Sequence, residues 1–281
     1  MTPIEFTLSL FCISILAGTL GALLGLGGGI IVVPALTLLF KIDIRFAIGA
    51  SLVSVIATSS GAAAAYVRER LTNMRVAMVL EVATTSGAIT GAYLAGVMET
   101  SWLYLIFGIV MAWSALAMFR NRHEAITTTS DDVWADRLRL HSGYYDEQRG
   151  KLIVYRVTHT RLGFLMMYIA GMLSGLLGIG SGVLKVPTMD LAMRLPIKVS
   201  SATSNFMIGV TAAASAGVYF SRGYVNPFVA APVAAGVLVG ATGGSRLLGR
   251  SRSSTIRLIF VVVLVWVSYE MIRKGWGQLH G

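Results

Sequence analysis

The apolar residues of this 281-residue chain arrive in blocks of roughly 18–25, and that spacing decides what it can fold into. About 20 residues of helix cross the ~30 Å hydrocarbon core of a bilayer. A helix on a soluble protein would return a polar face every turn, and these blocks do not. Only 13% of the residues are charged and the mean hydropathy is +0.73, whereas a soluble domain keeps about a quarter of its residues charged. The chain therefore reads as an all-α polytopic membrane protein. Its formal net charge of +10 does not point to nucleic acid, because the basic residues sit between apolar blocks rather than in one stripe. Such residues set orientation in the membrane. The single cysteine, Cys12, lies in an apolar run and has no partner for a disulfide within the chain. The opening Met1-Thr2-Pro3-Ile4-Glu5 lacks a basic n-region, so the first block is expected to be a retained span.

Blocks run near 4–26, 30–40, 46–67, 75–98 and 101–119, then near 162–178, 183–193, 198–221, 225–248 and 255–273. The segments 30–40 and 183–193 are too short for ordinary straight spans and read as half-helices or re-entrant arms. A shift of 153 residues aligns the chain with itself over about 100 residues without a gap. Gly18, Gly25, Gly27, Gly29, Val33 and Pro34 meet Gly171, Gly178, Gly180, Gly182, Val186 and Pro187. Ser51, Thr58, Tyr66, Asn73, Gly87 and Trp113 meet Ser204, Thr211, Tyr219, Asn226, Gly240 and Trp266. Shared apolar composition would not bring four polar positions and a Trp into register. The reading is of two homologous repeats, 1–119 and 161–281, each of about five membrane segments including a glycine-broken helix and a short helix.

Loop charges predict that the repeats are inverted. The loop near 68–75 carries Arg68, Arg70 and Arg75, whereas its equivalent carries only Arg222; the loop near 98–101 carries only Glu99, whereas its equivalent carries Arg246, Arg250, Arg252 and Arg257. Equivalent loops of opposite bias belong on opposite sides. The connection 120–160 holds seven Lys and Arg residues, with Arg161 just beyond it, and is expected in the cytoplasm, which puts both termini outside; Lys41 and Arg45 run against this pattern. Within the connection, Asp131 to Leu138 reads as a short helix, and Tyr144 to Tyr155 as a small hairpin. Together they make a structural or regulatory flap, too small for an enzyme core.

Gly25-Leu26-Gly27-Gly28-Gly29 and Gly178-Ile179-Gly180-Ser181-Gly182 are not phosphate loops. Neither ends in Gly-Lys-Ser/Thr, and neither follows a strand. Glycines clustered in a span unwind it and expose backbone N–H groups, and a helix restarting behind them points its positive end at the gap. Pro34 and Pro187 are expected in the first turn of such helices. Two breaks meeting near the bilayer midplane would attract an anion; the alternative is that these glycines only let helices pack closely. Candidate binding residues are Gly27, Gly28, Gly29, Ser51, Gly180, Ser181, Gly182, Lys185, Ser204 and Asn205. Lys185 would supply charge where the first half has Val32, with Asp190 as its partner when the site is empty, unless Lys185 snorkels to an interface. Glu81 and Asp190 are candidate coupling residues, although Glu81 also suits an interface. The four histidines have no metal spacing, no catalytic triad or cofactor motif is present, and no ATP-binding module is encoded. Small-residue-rich helices admit a homodimer.

At the repeated Gly-x-Gly-Gly/Ser-Gly-x-x-x-Val-Pro element the sequence resembles the sulfite exporter TauE/SafE family. The second copy, from Gly175 through Lys185 to Pro187, and the later Ser200-Ser-Ala-Thr-Ser-Asn205 carry the likeness most strongly. Ser181 departs from the family's usual Gly there, adding a hydroxyl. The resemblance covers essentially the whole chain. It implies export of sulfite, a small organosulfonate or a related anion across the bacterial inner membrane. The residues alone support a small anion, carried by alternating access. An anion channel, an importer, and an intramembrane enzyme or assembly factor are the other readings.

Overall fold

The computed structural model describes residues 2–24, 28–68, 71–120, 132–146, 150–180, 182–248 and 253–280. It is a bundle of helices with one small hairpin. The first series is α1 (Pro3–Leu24), α2 (Gly29–Pro34) running into a π turn at Ala35–Leu39, α3 (Ile44–Arg68), α4 (Met74–Val97) and α5 (Thr100–Arg120). The second is α7 (Thr160–Leu177), α8 (Gly182–Pro187) with a π turn at Thr188–Ala192, α9 (Ile197–Ser221), α10 (Pro227–Leu248) and α11 (Ser253–His280). Among the described residues, 3–21 and 160–177 are each long and apolar enough to cross a membrane unaided; 29–39, 44–60, 100–116 and 227–243 are shorter apolar stretches.

Around an apolar core, many large apolar side chains also face outward while a set of polar ones is buried. Leu16, Val82, Ile109 and Val262 are each more than half exposed, whereas Ser51, Ser54, Thr84, Lys185 and Thr211 are fully buried. That inversion is the unfavourable arrangement for water and the favourable one for lipid.

The prolines do not begin their helices as expected. Pro34 and Pro187 close α2 and α8, at the junction with the π turns. A proline here withholds an N–H and its ring crowds the carbonyl four residues back; the wider π turn accommodates that local disruption. Both π turns end alike. Lys41 and Arg194 adopt left-handed φ of 54° and 58°. The next N–H groups, of Ile42 and Leu195, return to the carbonyls of Leu36 and Met189 at 3.1 and 2.9 Å.

Helices are drawn together by glycines at their crossings. α1 packs chiefly on α10, α4 on α7, α3 on α9 and α5 on α11. A Cβ on Gly18 of α1 would stand 2.3 Å from the Val237 carbonyl oxygen, and one on Gly171 of α7 would stand 2.1 Å from that of Thr84. Backbone contact this close requires that the side chain be a hydrogen.

The loops gather at two ends. At one, Arg45 donates to the carbonyls of Ala95 and Met98, and Arg222 to that of Tyr93. At the other, Asn73 donates to the Leu140 carbonyl and the Tyr155 hydroxyl, and Thr158 N–H to the Met193 carbonyl. This second end carries the flap: α6 (Val133–Arg137) and the antiparallel strands β1 (Ser142–Asp146) and β2 (Lys151–Tyr155), with Tyr144 opposite Ile153. The expected helix and hairpin are both present, although the hairpin tip, 147–149, lies outside the described residues.

Asp132 fastens the flap to α7. Its Oδ1 accepts the N–H groups of Trp134 and Ala135, and its Oδ2 accepts that of Thr160 at 2.6 Å. Burial works to raise this carboxyl, but those backbone donors hold it below the usual carboxylate value of 3.8. The folded pKa being depressed, the stabilisation is present above 3.8 and is lost as pH falls through the folded value. Asp132→Ala is expected to remove about 1 kcal/mol of capping and to speed tryptic cleavage between 132 and 160 several-fold at neutral pH. An unchanged cleavage rate would refute the tether.

Candidate functional site

α3 and α9 run side by side along a seam, and Gly29, Gly178 and Gly180 close onto them. A Cβ on Gly29, the first residue of α2, would lie 2.7 Å from the Gly178 carbonyl oxygen, 2.7 Å from Ser51 Oγ and 2.9 Å from Val55. The start of the helix after the first break thus touches the last turn before the second. Ser51 Oγ fixes that contact by donating to the Gly178 carbonyl at 2.8 Å. Gly178 and Gly180 have φ of +68° and +75°, a conformation costing a residue with a Cβ roughly 1–2 kcal/mol. Gly180 sits between Val55 of α3 and Ile208 of α9.

One helical turn beyond Ile208 on α9 is Thr211, the centre of a buried polar chain. The ammonium of Lys185, on α8 and fully buried, donates to Thr211 Oγ1 at 2.6 Å. That hydroxyl has a single hydrogen, which can go to Glu81 Oε1 at 2.7 Å or to the Met207 carbonyl at 2.8 Å. Thr85 Oγ1 also donates to Glu81 Oε1, at 2.8 Å. The other carboxylate oxygen, Oε2, is buried without a hydrogen-bond partner. α8, α9 and α4 therefore share one cation and one anion, joined through a threonine. An isolated buried charge costs several kcal/mol, so each of these groups depends on the other.

Of the residues singled out from the sequence, Gly29, Ser51 and Gly180 meet at the seam, and Lys185 and Glu81 meet through Thr211. The side chains of Lys185 and Glu81 are both buried, and the Lys185 ammonium turns to Thr211 rather than outward. Among the described residues no ion pair joins Asp190 to Lys185, because the ammonium turns to Thr211; Asp190 lies buried in the π turn after α8. Gly28 packs against Val237 of α10, away from the seam, and Gly182 opens α8. Asn205 Nδ2 donates to the Ser201 carbonyl at 3.1 Å, while Ser204 Oγ is buried and unpartnered, as is Ser174 Oγ. Gly27 and Ser181 lie outside the described residues. α8 is only six residues long before its π turn, so Lys185, rather than a long macrodipole, supplies most of the positive charge.

Sequence reasoning passed over Thr211 and Thr85 as site residues. Thr211 carries a signal, since it is one of the polar positions in register at the 153-residue shift. Thr85 stands four residues after Glu81, on the same helix face.

A family model described as "Sulfite exporter TauE/SafE" matches residues 10–271. The chain is 28% identical over 277 residues to "Probable membrane transporter protein YunE" of Bacillus subtilis (strain 168), covering 95% of this chain and 97% of that one. It is 25% identical over 267 residues to a "Probable membrane transporter protein" of Xylella fastidiosa (strain 9a5c), covering 94% of each. It is 24% identical over 270 residues to another from Methanocaldococcus jannaschii, covering 91% of each. No solved structure matches the chain.

Proposed function

Because the chain belongs to the sulfite exporter TauE/SafE family of membrane transporters, we propose that it is a secondary carrier for a small sulfur-containing anion, sulfite or a sulfonate, bound at Lys185 between the two glycine breaks. Lys185 carries this reading: a fully buried cation three residues into the helix that follows a break. Gly29, Ser51 and Gly180, which meet at the seam between α3 and α9, and Ser204, whose hydroxyl is buried and unpartnered, are the other candidate anion-binding residues.

The carrier works by alternating access, exporting across the bacterial inner membrane with the connection 120–160 in the cytoplasm. The inverted-repeat reading draws support from contacts that recur at the same shift of 153. Gly18 meets Val237 where Gly171 meets Thr84. Gly87 meets Tyr168 and Met172, and Gly240 meets Ile15 and Thr19. The loop after the first π turn lies at one end of the bundle and its equivalent, at Met193 to Pro196, at the end that carries the flap. The charged chain has no equivalent: Val32, Thr58 and Ala234 stand where the other half has Lys185, Thr211 and Glu81.

Anion binding at Lys185 frees Glu81 from its counter-charge, and a proton arriving on Glu81 restores neutrality. That exchange couples anion movement to protons. In proteoliposomes, a panel of sulfite, sulfate, thiosulfate, sulfoacetate and taurine is expected to give saturable, counterflow-competent flux for a subset. Glu81→Gln should keep anion exchange while losing the response to an imposed pH gradient. Flux without saturation or counterflow would sink the carrier reading. A Glu81→Gln protein still driven by the gradient would sink the coupling.

A further inference from the structure

A cavity of about 810 Å³ opens at the end of the bundle opposite the flap, between α11, the start of α5 and the π turn at Ala35–Leu39 with the loop after it. Its lining mixes apolar and charged residues. Trp266, Leu38 and Leu39 are apolar, and Trp266 and Leu39 are more than half exposed. Lys41, Arg273 and Lys274 supply three cations, and Asp43 and Glu270 two carboxylates. Glu270 Oε2 accepts the Arg273 guanidinium at 2.7 Å, whereas Asp43 Oδ1 accepts only the backbone N–H of Arg45 at 2.9 Å and keeps its charge, so three cations against two carboxylates leave the basin formally positive by one. Lys274 is held in position, donating to the Thr37 carbonyl at 2.9 Å with its Nζ 4.6 Å from the Tyr104 ring centre. Two of its three N–H groups remain for a ligand. Arg273 has further N–H groups to spare, and Lys41 is exposed.

From Trp266 to Lys274 is eight residues of helix, about 12 Å. A site for a water-borne anion has no need of exposed apolar side chains such as Trp266 and Leu39, and a bare lipid groove has no need of three cations. An amphiphile with an anionic head needs both, because Lys and Arg side chains meet a phosphate through charge-assisted hydrogen bonds. We propose that this basin is a binding site for an anionic phospholipid. The phosphate sits among Lys41, Arg273 and Lys274, and the start of an acyl chain runs along α11 to Trp266. The site is separate from Lys185 and independent of which anion is carried.

Native mass spectrometry of the full chain tests this by titration with phosphatidylglycerol, phosphatidylcholine and glycerol phosphate. Phosphatidylglycerol is expected to bind at least ten-fold more tightly than phosphatidylcholine. Lys41→Gln with Arg273→Gln should erase that preference. Lys274 is left intact because it also holds the Thr37 carbonyl. Unchanged thermal unfolding of the double variant in phosphatidylcholine nanodiscs would establish that it is folded; Trp266→Ala, which keeps every cation, supplies a second variant expected to weaken both lipids, since both carry the acyl chain, while leaving glycerol phosphate unaffected. Equal binding of the two lipids, or a preference that survives the double variant, would overturn the proposal. Glycerol phosphate binding as tightly as phosphatidylglycerol would overturn it in favour of a soluble-anion site.

Discussion

Lys185→Met is expected to abolish anion flux and to cost about 3–5 kcal/mol of stability, the usual penalty for leaving one member of a buried ion pair behind. Methionine nearly fills the space of the lysine stem, so the loss is electrostatic rather than a cavity. Glu81 would be left as a buried carboxylate with two threonine donors and no cation. Adding Glu81→Gln removes that orphan charge, and the double variant should regain most of the lost stability. It should regain none of the flux, because the anion still lacks its cation. Thermal unfolding and proteoliposome flux on the single and double variants therefore separate what Lys185 does for the fold from what it does for the substrate. Recovery of both together would mean that Lys185 is only a structural counter-ion. Recovery of neither would mean that the chain through Thr211 does not couple the two residues.

The second large effect lies at the helix crossings. Gly171→Ala would push a methyl to within 2.1 Å of the Thr84 carbonyl oxygen, and Gly18→Ala would do the same to Val237 at 2.3 Å. The obstacle in each case is backbone, which cannot rotate away, so the helices must separate along their whole contact. Each substitution is expected to destabilise by about 2–3 kcal/mol, toward the upper end of ordinary overpacking. Gly217, in α9, is the control, because nothing stands within 4 Å of a Cβ there. Gly217→Ala should stabilise by about 0.5–1 kcal/mol through helix propensity alone. If all three variants unfolded at the same temperature, close crossing would not be what those glycines provide.

Much of this was readable before any coordinates. Apolar block length located the long helices to within a few residues, apart from the far end of α11, which runs past 273 to His280, because a span must keep its backbone hydrogen bonds inside itself. The glycine runs marked the breaks for a similar reason: three glycines in a row make a poor helix. Less legible was what the chain does just after each break. Nothing local to Pro34 or Pro187 says that the helix will absorb a proline by widening into a π turn instead of starting on it. The site itself was half legible. Lys185 and Glu81 were conspicuous as rare charges in apolar blocks, yet they lie 104 positions apart, and no periodicity joins residues on different helices. Asp190, five residues from Lys185, was the natural partner on sequence distance, but the bundle brings α4 and Thr211 to the ammonium instead. Thr85 lies two residues before Gly87, in a stretch where small polar residues are plentiful.

The helix pairing also bears on how the chain comes into being. α1 finds its main neighbour in α10, and the contact from Gly18 to Val237 spans 219 positions (237 − 18). At a synthesis rate of about 5–20 residues per second, the first helix waits roughly 10–40 s for that partner to leave the ribosome. During that interval its glycine face has only lipid, or the insertion machinery, to rest against. α4 is in the same position until α7 emerges, though for less time. The two halves cannot mature one after the other as finished pieces. A protein stopped midway, with α1 to α5 made and the rest missing, would present unmatched crossing faces to whatever monitors the membrane for incomplete chains.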